Sequence, residues 1–118
     1  MDDNLPFISI AMPIFERNKF IRLIMSNLLK LDYPKNKLQF IIDDDGKKEK
    51  FIDGDVDLKN IKEVLYPIEI SYNHYNVKRS IGVKRNNLVK LAKHKIIAFM
   101  DSDDLYLSTY LKESIKVM

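Results

Sequence analysis

The sequence predicts an α/β fold, a mainly parallel sheet with helices on both faces. Three observations carry this. Apolar runs of strand length alternate four times with segments of helical period, the pattern of successive βα units. Two of those runs stop in acids, Asp43-Asp44-Asp45-Gly46 and Asp101-Ser102-Asp103-Asp104. The 118 residues hold only three glycines and four prolines, too few for a linker, so residues 1–118 are expected to form one domain with a real core.

The elements follow in order. Leu5 to Met12 reads as a buried strand leading into Pro13. Asn18 can N-cap a helix whose apolar face is Ile21, Ile24, Met25, Leu28 and Leu31. Asp32-Tyr33-Pro34-Lys35-Asn36 closes it with a turn. Leu38 to Ile42 is the second strand, and Lys47 to Asp55 a polar loop. Asp57 can cap a short helix carrying Leu58, Ile61 and Leu65. Pro67 opens a third strand, Ile68 to Tyr72. Ser80 starts a helix through about Lys93, expected to bury Ile81, Leu88, Leu91 and Ala92. The fourth strand is Ile96 to Met100, and a last helix begins at Ser108 with Leu111 and Ile115 inward.

Composition removes several classes of function. There is no cysteine, which excludes disulfides, thiolate zinc sites and cysteine nucleophiles. Two histidines, far apart, do not make a histidine-rich metal site. His74 reads as a loop residue, and His94 suits a helix C-terminus. No apolar run reaches membrane-spanning length, and the start Met-Asp-Asp-Asn lacks the features of a signal peptide. A soluble, cytoplasmic chain is expected. The net charge of +3 is scattered lysine without a basic stripe, so no nucleic-acid partner is expected. Lys78-Arg79 reads as a solvated turn.

The acids hold the chemistry. A carboxylate at the end of a core strand must meet solvent, a cation or a ligand. In open α/β sheets, ligands bind outside the carboxyl ends of the strands. If the strands are parallel, both acidic clusters share one edge. An Asp-x-Asp there offers hard oxygen ligands to a divalent ion. Arg85 is the expected internal counter-charge.

Four motifs, in order and with compatible spacing, resemble those of the family-2 glycosyltransferases of GT-A fold, in their N-terminal, sugar-nucleotide-binding half. Ile8-Ser9-Ile10-Ala11-Met12-Pro13-Ile14-Phe15-Glu16-Arg17 resembles the opening strand with Pro-x-Tyr-x-Arg. Leu38 to Gly46 resembles the second strand with Asp-Asp-Gly-Ser. Gly82-Val83-Lys84-Arg85-Asn86-Asn87 resembles the Gly-x-x-x-Ala-Arg-Asn helix, and Phe99 to Asp104 the Asp-x-Asp strand end. The resemblance implies a Rossmann-like, nucleotide-diphospho-sugar-binding fold and a metal-dependent, inverting sugar transfer. Pro13, Phe15 and Arg17 would line the nucleotide pocket. Asp44 or Asp45 would accept a hydrogen bond from the base, with a UDP-sugar favoured as donor. Arg85 would lie near the base or the diphosphate. Asp101 would serve ribose and metal, Asp103 the metal, with Asp104 close by, and the ion would be Mn²⁺ or Mg²⁺.

The sequence departs from the pattern in places. Phe15 replaces Tyr, Lys47 replaces Ser, and Lys84 replaces Ala. The triple aspartate leaves open which of Asp44 and Asp45 meets the base. No general base for an acceptor hydroxyl can be placed in this chain, and the acceptor itself is not indicated. The 118 residues are therefore expected to bind a donor without sustaining transfer alone, as the N-terminal part of a longer enzyme. Two alternatives stay open: a catalytically incomplete sugar-nucleotide-binding module, and a metal-dependent nucleotidyltransferase. Against the latter there is no Gly-rich phosphate loop.

Overall fold

The computed structural model describes residues 5–15, 21–46 and 55–100. Their order is β1 (Ile8–Ile14), α1 (Ile21–Lys30), a 3₁₀ turn (Lys35–Lys37), β2 (Leu38–Asp44), α2 (Asp55–Leu65), β3 (Glu69–His74), α3 (Ile81–Leu91) and β4 (Ile96–Phe99). The strands form one sheet in the order β3-β2-β1-β4. Every neighbouring pair is parallel. The predicted α/β class is therefore what the described residues form. The expected helix cap at Asn18 and the last helix from Ser108 lie outside them.

Alternation along the strands sorts side chains onto two unequal faces. Ile8, Ile10, Met12 and Ile14 of β1 join Leu38, Phe40 and Ile42 of β2 in one buried layer. Ile24 and Leu28 of α1 and Ile61 and Leu65 of α2 cover it, with Leu31 and Tyr33 at its border. Tyr33 is anchored there because its hydroxyl donates to the Pro6 carbonyl. Among the described residues the opposite face carries less apolar matter: Ala11, Ile41 and Leu88 are buried, with Leu91, Ala92 and Ile97 packed beside them. Here α3 lies over β1 and β2. The space is completed by polar contacts. Ser9 Oγ donates to Gln39 Oε1 at 2.7 Å, and the N–H groups of Lys93 and His94 close on those two side chains at 2.9 and 3.2 Å.

Some boundaries and faces differ from expectation. β1 runs through Pro13 to Ile14. Pro13 is tolerated because the β4 ladder ends at the Ala11–Phe99 pair, so no partner awaits an N–H on that side. β3 begins at Glu69 and continues to His74. α2 starts at Asp55, ahead of the expected cap at Asp57. α3 is capped by Ser80 as expected, its side chain accepting from the Val83 N–H at 3.2 Å. But α3 ends at Leu91, and Ile81 is 55% exposed. In its place α3 buries Lys84, one turn before Leu88 on the same stripe.

A stability prediction follows from this thin face. Leu88→Ala should lower the unfolding free energy by about 2–5 kcal/mol, the range for a large-to-small change at a buried leucine. Ile81→Ala, at the exposed first residue of the same helix, should change it by about 0.5 kcal/mol or less. Urea titrations of the two variants against wild type check the contrast.

Candidate functional site

Parallel pairing brings the carboxyl ends of β1, β2 and β4 to one edge of the sheet. There the first acidic cluster sits, and it does not open to solvent. Asp43, Asp44 and Asp45 are all 0% exposed. Unpaired, such carboxylates would each cost several kcal/mol. Each is instead enclosed by donors.

Asp43 faces α3. One oxygen pairs with the Arg79 guanidinium, and the other accepts from Asn87 Nδ2 at 2.9 Å. The same Asn87 nitrogen reaches the Tyr75 hydroxyl at 2.8 Å, and Arg79 lies 3.9 Å over the Tyr75 ring. Asp44 points the other way. It accepts from the Tyr72 hydroxyl at 2.6 Å and from the Gly46 N–H at 2.9 Å, which folds the chain back as it leaves β2. Asp45 accepts from Lys84 Nζ at 2.7 Å through one oxygen and from the Arg79 N–H at 2.7 Å through the other. Lys84 also donates to the Ile14 carbonyl at 2.6 Å. Burial pushes the Asp45 carboxyl up, but the bonds from Lys84 and the Arg79 N–H, with both positive charges, outweigh it and hold the group below its usual range.

The predicted site residues divide accordingly. Pro13 is at the end of β1, and Phe15 follows it, with the Lys78 ammonium 4.5 Å from its ring centre. Asp44 and Asp45 are at the end of β2 with the partners just given. Arg85 is not the counter-charge of this cluster. It is exposed on α3, its guanidinium carbon 5.6 Å from the centre of the Phe99 ring. Its place is taken by Lys84, one residue earlier, and by Arg79, which is no solvated turn residue. His74 is likewise more than a loop residue: it closes β3, and its Nε2 lies 2.7 Å from the Gly46 carbonyl. Arg17, Asp101, Asp103 and Asp104 lie outside the described residues.

Arg79, Lys84, Asn87, Tyr72 and Tyr75 were not among the expected site residues. Lys84 carried a legible signal, since a lysine four residues before Leu88 falls on the buried stripe of the helix. Arg79 carried none, because its role depends on the path of the loop between β3 and α3. Among the described residues no group of three metal-binding side chains is assembled. The carboxylates of the first cluster already serve lysine, arginine and hydroxyl donors, so they do not fit a divalent ion.

The model of the family described as "Glycosyl transferase family 2" matches residues 9–118. The chain belongs to glycosyl transferase family 2. Over its full length it is 31% identical to the Escherichia coli UDP-Glc:alpha-D-GlcNAc-diphosphoundecaprenol beta-1,3-glucosyltransferase WfgD, of which it spans 42%. It is 25% identical over 114 residues to the poly(ribitol-phosphate) beta-N-acetylglucosaminyltransferase TarS of Staphylococcus aureus, covering 90% of this chain and 18% of TarS. Among solved structures, the Pyrobaculum calidifontis mannosyltransferase PcManGT in complex with GDP-Man and Mn²⁺ superposes with a TM-score of 0.77 at 18% identity, over 98% of this chain and 33% of that one. TarS residues 1–349 with UDP-GlcNAc give a TM-score of 0.71 at 23% identity, over 92% and 30%. The GT-A fold is thus shared, and the chain spans less than half of the relatives it matches.

The depressed Asp45 carboxyl makes a prediction about acid. A group whose folded pKa is lowered contributes stability above its unfolded pKa, about 3.9, and that contribution is lost as pH falls towards the folded value. Stability of the wild type should therefore drop below about pH 5. In Asp45→Asn, which has no proton to take up there, the drop should be shallower, although the variant starts from a lower stability at pH 7. Thermal melts across pH 3–7 measure both slopes.

Proposed function

We propose that this chain forms the donor-binding part of a family-2 glycosyltransferase, one that binds a nucleotide sugar with a divalent ion and serves transfer of the sugar to an acceptor. The observation that supports this most is the meeting of the β1, β2 and β4 carboxyl ends on one edge, in a chain of this family. That edge is where an open parallel sheet receives its ligand.

The roles divide along it. Pro13, Phe15 and Arg17 would wall the base, with Asp44 or Asp45 accepting from a ring N–H. Each Asp45 oxygen accepts one bond from the protein and has capacity for a second, so a base seated against this enclosed carboxylate would find an acceptor there. Uracil and guanine both present a ring N–H, whereas cytosine and adenine present an acceptor at the corresponding position. A carboxylate therefore suits a UDP-sugar or a GDP-sugar. The UDP-sugar is favoured because WfgD is named for UDP-Glc and TarS is bound to UDP-GlcNAc. Asp101 and Asp103, with Asp104 beside them, have the oxygen chemistry to hold Mn²⁺ or Mg²⁺. Such an ion supplies Lewis-acid stabilisation of the negative charge that grows on the leaving diphosphate. Arg85, exposed on α3 beside the Phe99 ring of β4, is not bound to the first acidic cluster and would be available to a diphosphate.

Donor binding is the direct test. By calorimetry, UDP should bind the chain more tightly with Mn²⁺ than without it. Asp103→Ala should remove most of that difference and leave the metal-free affinity near wild type. Asp45→Ala should weaken UDP in both conditions. Equal affinity of the wild type with and without Mn²⁺ would count against a metal-dependent donor site.

A further inference from the structure

Lys84 touches two different strands from a third element. It is 4% exposed, on α3. Its ammonium donates to the Ile14 carbonyl at the end of β1 and to Asp45 Oδ1 just beyond the end of β2. The Ile14 carbonyl also accepts from the Asp45 N–H at 3.3 Å, so the three groups form one cluster. Ile14 is bonded directly to Phe15. The ring of Phe15 carries Lys78, Lys78 is bonded to Arg79, and the Arg79 N–H returns to the second Asp45 oxygen. The contacts thus close a circuit: Phe15, Ile14, Lys84, Asp45, Arg79, Lys78.

Charge neutralisation alone does not require this arrangement. An arginine is already beside the cluster, and a lysine could meet Asp45 without also taking a strand carbonyl. The second bond adds a side-chain brace to two strand ends that the Asp45 N–H and the β1–β2 ladder already join. An ammonium is a compact point charge with three donors, suited to bridging two acceptors at right angles to a strand.

We propose that Lys84 is a positioning residue for the nucleobase: by fixing the Asp45 carboxylate against the Ile14 carbonyl it reinforces the backbone bond between them and sets the side-chain arrangement, beside Phe15, that a base would meet. It acts only on the nucleoside end of the site and has no part in the metal–diphosphate end. The inference rests on the donor-site reading above, and it assigns to a side chain at the usual alanine position the setting of base affinity.

The test separates the two ends of the ligand. Binding of UMP and of GMP, and separately of inorganic pyrophosphate with Mn²⁺, is measured by calorimetry on the full 118-residue chain and on Lys84→Met. Lys84→Met should weaken whichever monophosphate the wild type takes by about 10-fold or more, the scale of one lost hydrogen bond to a charged group. Pyrophosphate with Mn²⁺ should stay within about twofold, below the threshold of a single lost contact. Should Lys84→Met fail to fold by circular dichroism, Lys84→Gln, which keeps a donor without the charge, takes its place with the same split expected. A purely structural lysine would lower both ligands together, and that result overturns the proposal. Unchanged monophosphate affinity in Lys84→Met, with loss of it in Asp45→Ala, also overturns the proposal while leaving the donor site standing. Failure of the wild type to bind either monophosphate sinks the donor-site reading itself, and this proposal with it.

Discussion

The structure depends on how three adjacent carboxylates are buried at the end of one strand. Asp43, Asp44 and Asp45 alternate between faces, so no single partner could serve them. The chain answers with different donors for each. Arg79 and Asn87 meet Asp43, Tyr72 and Gly46 meet Asp44, and Lys84 with the Arg79 amide meets Asp45. In an interior of low effective dielectric the same groups would be prohibitive if one partner were missing. The loop between β3 and α3, the start of α3 and the end of β1 are therefore all placed by this requirement.

In a chain of glycosyl transferase family 2, this bracing bears on the proposed donor site. The described part of the crevice, from Phe15 to Asp45, is braced by contacts within residues 14–87. The acids assigned to the metal belong to the chain beyond β4. The base end of the proposed site would thus rest on a cross-braced set of side chains.

Much of the fold was legible because it rests on periodicity. Alternation in β1 and β2 and the apolar stripe of α1 follow from local rules, and parallel order follows from the strand–helix repeat. The acidic edge was legible too. Its counter-charges were not. Arg85 and Lys84 differ by one position on α3, about 100° of helical rotation, and the arginine was favoured for its place near the start of the helix. Burial favoured the lysine, because Leu88 fixes which stripe of α3 meets the sheet. Ile81 was misplaced for a different reason: seven residues before Leu88 it falls on nearly the same stripe, but it is the first residue of α3 and lies exposed at the helix start. Arg79 could not be found from spacing at all, since its contact with Asp43 spans 36 residues.

The unequal faces of the sheet have a consequence for how the molecule assembles. α1 and α2 close over a continuous apolar layer, which needs only collapse to form. α3 has Leu88, a few partly buried neighbours and a set of directional bonds that exist only when β1, β2 and the β3–α3 loop are already aligned. The directional bonds of α3 thus act as a check on geometry: they can all be made only where the ends of β1 and β2 already stand in their native register.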